Sequence, residues 1–179
     1  MNWTLMQAMA VDAKWHHFVG VLLVILLAVI QGRVGRIGAF WQICWALPGT
    51  VLHELSHLLV AAVTGGRPVG FSIIPHRQPG SGSRQQWVLG SVTISRPGPI
   101  SALPSALAPL GLNLVAYYLY SNWGRWFLPD LPHTLLMYVV IYVFSYSSIP
   151  SSQDLKVAVS SPFGLMLYTM LCGAWVLCR

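Results

Sequence analysis

Charged residues are scarce in this sequence. They make up 8% of its 179 residues, whereas hydrophobic residues make up 55%. A soluble globular domain carries about 25% charged residues, so this chain has too few to cover a surface in water. The composition therefore predicts that much of the chain is surrounded by lipid. At about 20 residues per transmembrane helix, the length allows four or five helices in a single domain.

The sequence also lacks a run of basic residues. Its net charge of +6 comes from ten cations that are scattered between apolar blocks, as is typical of the loops between membrane helices. This distribution does not predict a nucleic-acid partner. Acidic residues are rarer than basic ones, so an acid within an apolar segment points to a function. The four acids are Asp12, Glu54, Asp130 and Asp154.

Cysteine is equally sparse. The three cysteines, Cys44, Cys172 and Cys178, lie in apolar stretches and form no C-x-x-C pair. They therefore predict neither a disulfide framework nor a zinc site built from cysteine. No signal-peptidase cleavage pattern follows the first apolar run, and we expect this run to be retained as a helix.

Five apolar segments predict an all-α polytopic membrane protein with about five transmembrane helices. The whole chain, residues 1–179, is expected to form one membrane-embedded domain. The segments are residues 15–30, 37–63, 100–120, 133–149 and 162–178.

Three features predict breaks in these segments. Pro48-Gly49 interrupts the second segment, and Thr50 is expected to cap the helix that follows. That helix is expected to end at Thr64-Gly65-Gly66. Two prolines, Pro104 and Pro109, are expected to kink the third segment. Residues 121–132 have the composition of an interfacial link.

Residues 67–96 have a different character. Two runs rich in β-branched and aromatic residues, 69–74 and 86–94, flank a turn-forming stretch at residues 76–84. This pattern predicts a β-hairpin or small sheet inserted after the second segment. The insertion has too many polar residues to face lipid alone.

The sequence His53-Glu54-Leu55-Ser56-His57 is an HExxH motif. On a helix the two histidines, four residues apart, share a face and can reach one metal ion, while the glutamate can accept a proton from metal-bound water. The motif thus predicts two zinc ligands and a general base. The alternative is a polar cluster at a helix contact, but ionisable residues within apolar segments are costly and usually functional.

A hydrolytic zinc site requires a third protein ligand. If each apolar segment crosses once, the membrane face nearest the motif also holds the N-terminus, residues 67–96 and residues 150–156. This arrangement favours Asp154, which follows a helix break at Pro150, although pairing with Lys156 is the structural alternative. His76 and the His16/His17 pair remain open. The full set of candidates is Asp12, His16, His17, His76, Asp130, His133 and Asp154.

Basic residues are more numerous on that same face than on the opposite one. By the positive-inside rule the face is cytoplasmic. We therefore expect a multi-pass protein of the bacterial inner membrane, with its active site toward the cytoplasm.

These residues resemble the site-2 protease family of intramembrane zinc metalloproteases, peptidase family M50. The resemblance covers residues 41–156 and rests on HExxH, the β-rich insertion, Gly98-Pro99 opening the next helix, and Pro150 followed by Asp154. It implies one Zn²⁺ bound by His53, His57 and Asp154, with Glu54 as the catalytic base. The sequence departs from the family pattern at Leu155, where the family has glycine.

The resemblance further implies an endopeptidase that cleaves transmembrane segments of membrane-bound regulators such as anti-sigma factors. Asn113 is a candidate for binding the substrate backbone, although an asparagine in such a helix often bonds a neighbouring helix instead. Two other functions remain open: a membrane metal transporter or chaperone, and an inactive protease-like adaptor. The adaptor does not explain an intact HExxH motif.

Overall fold

The computed structural model describes residues 3–73, 76–79, 85–88, 90–95, 98 and 100–177. Most of these residues are helical. The helices are α1 (Trp3–Ile37), α2 (Ala39–Val63), α3 (Ala102–Leu107), α4 (Gly111–Trp126), α5 (Leu131–Ser147), α6 (Ser152–Val159) and α7 (Pro162–Leu177), with a 3-10 turn at Ala108–Leu110. The strands are β1 (Pro68–Ser72), β2 (His76–Pro79), β3 (Gln85–Val88) and β4 (Ser91–Ile94). The prediction of a mostly helical chain with a small β element after the HExxH helix is confirmed.

Three helical segments in the described part of the chain are long and apolar enough to cross a membrane. They are Lys14–Ile37, Phe40–Val63 and Ala102–Trp126. A fourth is possible if α5 and α6, which are bent by 49° at their junction, form one broken span. The predicted count of about five stays a prediction.

Helix α2 is continuous through Pro48. The predicted interruption is therefore wrong, and Thr50 lies inside the helix instead of capping it. A proline removes one backbone hydrogen bond, while the residues on either side keep theirs. The predicted end of the helix is confirmed: Gly65 has φ 78°, and the Gly66 N–H donates to the Ala61 carbonyl at 2.8 Å, as in a glycine C-cap.

The third predicted segment is broken at Pro109. Helix α3 ends at Leu107, and a 3-10 turn that includes Pro109 leads into α4. Pro104, in contrast, lies within α3. Helix α4 continues to Trp126, so the predicted link at residues 121–132 is largely helical.

The four strands form two antiparallel ladders. Strand β1 pairs with β4, with Ser72 opposite Ser91, and β2 pairs with β3, with His76 opposite Val88. In sequence order, β2 and β3 both lie between β1 and β4, as in a long hairpin. The predicted small β element is confirmed, but His76–Pro79, which was predicted to belong to the turn, forms strand β2.

The chain divides into two compact units. The first consists of Met1–Trp45 and Asn113–Tyr146, and the second of Ala46–Leu112 and Ser147–Arg179. The boundary thus falls inside α2, shortly before Pro48. The predicted single domain stays a prediction.

In the second unit, α3, α6 and α7 pack around a small apolar core. Its buried members are Leu103, Ala106 and Ala158, against which Leu107, Leu165 and Tyr168 pack. This core holds α6 beside α3, and the Tyr168 hydroxyl ties α7 to the start of α3 by donating to the Ile100 carbonyl at 3.0 Å.

In the first unit, two side-chain hydrogen bonds connect α1 to α5. His17 Nδ1 lies 3.2 Å from the Tyr138 hydroxyl, and Gln31 Nε2 donates to the Tyr146 hydroxyl at 2.5 Å. The partners follow the same order along both helices, so α1 and α5 run in the same direction. Four segments that each crossed a membrane once would place the first and fourth antiparallel. The assumption of single crossings therefore does not describe this pair.

Candidate metal centre

The HExxH motif lies in the C-terminal half of α2, entirely within the second unit. His53 and His57 are one helical turn apart, which brings their Nε2 atoms to 3.1 Å from each other. The two rings meet edge to face, with centroids 4.8 Å apart. The structure thus has the shared face that the spacing predicts.

Asp154 reaches the same point from the start of α6. Its Oδ2 lies 3.2 Å from His53 Nε2, and its Oδ1 lies 3.2 Å from His57 Nε2. Among those candidates for a third ligand whose side chains the structure describes, Asp154 is the residue brought to both histidines. Its service as a ligand stays a prediction.

The end of α5 and the start of α6 explain this position. The chain leaves α5 at Ser147, passes Pro150, and begins α6 with Ser151 as the N-cap. The Ser151 hydroxyl accepts from the Asp154 N–H at 3.2 Å, and the Ser151 N–H donates to Asp154 Oδ2 at 2.6 Å. This reciprocal capping box turns the carboxylate back toward the helix start, where the two histidines lie.

Backbone carbonyls orient both imidazoles. His53 Nδ1 lies 2.9 Å from the Ser147 carbonyl oxygen, and His57 Nδ1 lies 2.6 Å from the Ser105 carbonyl oxygen. A carbonyl oxygen can only accept, so each Nδ1 carries the hydrogen. In the neutral ring each Nε2 then presents its lone pair to the centre. Histidine ligands of metal ions commonly donate their other ring N–H to a backbone carbonyl in this way.

The resulting donor set fits a metal ion. Two Nε2 lone pairs and a carboxylate form a group of acceptors within 4.8 Å of one another, which a shared cation would stabilise. Ligands at about 2.0–2.2 Å in a tetrahedron lie about 3.3–3.6 Å apart, close to the 3.1–3.2 Å found here. The exposed fractions of the side chains are 15% for His53, 9% for His57 and 14% for Asp154. Two nitrogen ligands and one carboxylate, with room for water, is a common catalytic zinc set.

Glu54 is half-buried beside this group. It lies close to His53, His57 and Asp154. Its methylene carbon faces Gly90, the residue directly before β4, and Thr50 contacts the same glycine. The β1–β4 ladder therefore adjoins the carboxylate that the motif predicts as the base.

Some of the other predicted ligands lie away from this centre, and the side chains of the rest are outside the described residues. Asp130 caps α5, where its carboxylate accepts from the His133 N–H at 2.9 Å and pairs with the His133 ring at 2.6 Å. The backbone hydrogen bond holds the pKa of Asp130 below its usual range. His16 and His17 belong to α1 in the first unit. The side chains of Asp12 and His76 are outside the described part of the chain.

Asn113 lies on the exposed side of α4, in the first unit. Its predicted contact with substrate stays a prediction.

Three residues of this site were not predicted from the sequence. Ser105 and Ser147 act through backbone carbonyls, which every residue has, so no residue type marks them. Ser151 could have been found from the Ser-x-x-Asp spacing that precedes α6, because this spacing is typical of a capping box.

No protein-family model, no curated protein and no solved structure matches this chain.

Proposed function

We propose that this chain is a zinc-dependent intramembrane endopeptidase. The observation that carries the proposal is the convergence of His53 Nε2, His57 Nε2 and Asp154 on one point, with Glu54 beside them. Those two nitrogen atoms and one carboxylate would hold the ion. The resemblance to site-2 proteases agrees with this set of residues and adds the class of substrate.

The chemistry requires water to be added across a peptide bond. Zinc, when bound, polarises the carbonyl and makes bound water acidic. Glu54 is the group that accepts the proton from the water, whose oxygen forms a bond to the carbonyl carbon. As the carbon–nitrogen bond breaks, Glu54 delivers that proton to the leaving nitrogen. Asp154 is held in place by the Ser151 N–H, which donates to its carboxylate.

The surroundings of the site favour a membrane-embedded substrate. Helix α2 carries the motif within the apolar stretch Phe40–Val63, so a substrate that reaches Glu54 must enter apolar surroundings. We propose transmembrane segments of regulatory membrane proteins, of the anti-sigma-factor kind, as substrates. A helical substrate must unwind locally there, because helical carbonyls are engaged in hydrogen bonds.

We further propose that the site faces the cytoplasm of a bacterial inner membrane. The hairpin region, residues 67–96, contains four arginines, whereas the connection between α4 and α5 is flanked by Arg125 alone. The helical stretch Ala102–Trp126 separates these two regions. The positive-inside rule assigns the more basic region to the cytoplasm.

The test compares the wild type with Glu54→Gln in detergent, on a panel of model transmembrane substrates, with zinc quantified in both proteins. Glutamine has the shape of glutamate but does not accept the proton. We expect about one zinc per chain in both proteins, and at least 100-fold slower cleavage by the variant.

Other outcomes select the alternatives. Zinc in both proteins without cleavage of any substrate favours a metal transporter or chaperone, which needs the histidines but not Glu54. Absence of zinc from the wild type rules out the metal centre and leaves the adaptor function. Equal cleavage by both proteins contradicts the role of Glu54.

A further inference from the structure

The residue before β4, Gly90, lies against the face of α2 that carries Glu54. A methyl group at this position would lie 2.7 Å from Glu54 Cγ, 3.1 Å from Glu54 Oε1 and 2.9 Å from Thr50 Cγ2. Carbon atoms at favourable separation are about 3.5–4.0 Å apart. Any side chain at position 90 therefore requires Glu54 or the strand to move. Lack of space at this position thus disfavours any residue larger than glycine.

The ladder that carries Gly90 is anchored independently of Glu54. Beyond Gly90, Ser91 pairs with Ser72, and at the far end of β4 the Ser95 N–H donates to the Arg67 carbonyl at 3.2 Å. Ile94 packs over Gly66 at the end of α2, where a methyl group on Gly66 would lie 3.2 Å from Ile94 Cγ2. Both strands are thus tied to the chain that leaves α2.

Thr50 and Glu54 are four residues apart and share a face of α2. Gly90 contacts both of them, so it sits over the helical turn that leads into the motif. With the ladder anchored, crowding at position 90 acts on the flexible side chain of Glu54 before it moves the backbone.

We propose that Gly90 is a positioning residue for Glu54, and that its lack of a side chain lets the strand confine the carboxylate beside the metal centre. This inference rests on the proposed function, because it assigns Glu54 as the base. The three atoms nearest to a methyl group at position 90 belong to Glu54 and Thr50 and not to a metal ligand, so we expect a side chain there to displace the base and leave zinc binding intact.

The first test measures cleavage by Gly90→Ala and Gly90→Val. We expect kcat to fall about tenfold to 100-fold for alanine, since misplacement by about 1 Å can cost about 100-fold, and further for valine. KM and the zinc content should remain near those of the wild type. A structural role alone would lower zinc content and folding yield together with kcat.

Gly70→Ala is the matched control. Gly70 lies in β1 of the same ladder, and a methyl group there would lie 3.4 Å from Thr93 Cβ, an ordinary contact. We expect its kcat to stay within about twofold of the wild type. A Gly90→Ala protein as active as this control overturns the proposal, and so does one that loses zinc along with cleavage.

The second test is independent of activity. In protein whose native cysteines are replaced by serine, Thr50→Cys is combined with Gly90→Cys, and mild oxidation is followed by mass spectrometry of the linked peptides. Disulfides require Cβ atoms about 3.5–4.5 Å apart, and the Thr50–Gly90 contact is compatible with that distance. Thr50→Cys with Thr93→Cys is the control, because Thr93 lies about 10 Å further along the strand.

The two tests separate the two proposals. If the wild type cleaves no substrate, the proposed function fails. The disulfide test still shows whether Gly90 lies beside Thr50, because it does not depend on activity. A disulfide with Gly90→Cys but not with Thr93→Cys supports the placement, whereas equal yields or none from Gly90→Cys overturn it.

Discussion

The histidines of the candidate metal centre depend on residues that are far away in sequence. His53 is oriented by the carbonyl of Ser147, 94 residues later, and His57 by the carbonyl of Ser105. In each histidine the carbonyl accepts a hydrogen bond from Nδ1, so Nε2 is the nitrogen that faces the candidate metal site. The HExxH spacing alone brings the rings to one face of α2, but it does not decide which nitrogen points to the metal.

At the residue scale, Gly20 provides a test of how α1 packs against Tyr138 of α5 in the first unit. A methyl group on Gly20 would overlap the Tyr138 ring, whereas Gly32 in the same helix has nothing within 4 Å of that position. We expect Gly20→Ala to lower the free energy of unfolding by about 1–3 kcal/mol. Gly32→Ala should raise it by about 0.5–1 kcal/mol, because alanine favours the helix.

Thermal unfolding of both variants in detergent measures these changes. Equal stabilisation by the two alanines would contradict the packing of α1 on Tyr138.

At the element scale, the break between α5 and α6 places Asp154. The capping box orders the carboxylate before any metal binds, because Ser151 bonds both the backbone and the side chain of Asp154. A continuous helix through residues 147–152 would lack this N-terminus and its cap. The break at Pro150 therefore creates the N-terminus of α6, and this N-terminus places Asp154.

Substitution of the cap tests this link. Ser151→Ala removes the hydroxyl that accepts from the Asp154 N–H, at a cost of about 1 kcal/mol. If that energy holds Asp154 in place, zinc affinity should fall roughly fivefold. Competition with a zinc chelator measures the affinity.

Ser152→Ala is the control, because Ser152 is exposed and occupies the first position of α6. We expect its zinc affinity to match that of the wild type. The same loss in both variants would show that the capping hydroxyl is not the cause.

At the scale of the whole molecule, two compact units share helix α2. All three candidate ligands and Glu54 belong to the second unit, while the tyrosine and histidine contacts of α1 and α5 belong to the first. The boundary near Pro48 coincides with the position where α2 lacks one backbone hydrogen bond. The proposed chemistry therefore involves residues of the second unit.

Orientation in the membrane is the prediction at this scale. In intact cells expressing protein without native cysteines, we expect Ser95→Cys to be protected from a membrane-impermeant thiol reagent and Leu128→Cys to be labelled. Both positions are exposed, and the proposed orientation places Ser95 in the cytoplasm and Leu128 outside. The reverse pattern would contradict the orientation, and labelling of both after lysis is the control for accessibility.

The amino-acid sequence was sufficient to predict the helical, apolar character of the chain, the β-rich insertion and the pair of histidines, because these follow from local composition and from spacing along one helix. It favoured Asp154 among several candidates but left the choice open. The tertiary structure was needed to show that Asp154 meets both histidines, that Ser105 and Ser147 orient them, and that Gly90 adjoins Glu54. These contacts join residues far apart in sequence, so spacing along one helix does not predict them. Those of Ser105, Ser147 and Gly90 also depend on backbone atoms or on an absent side chain, which no residue type marks.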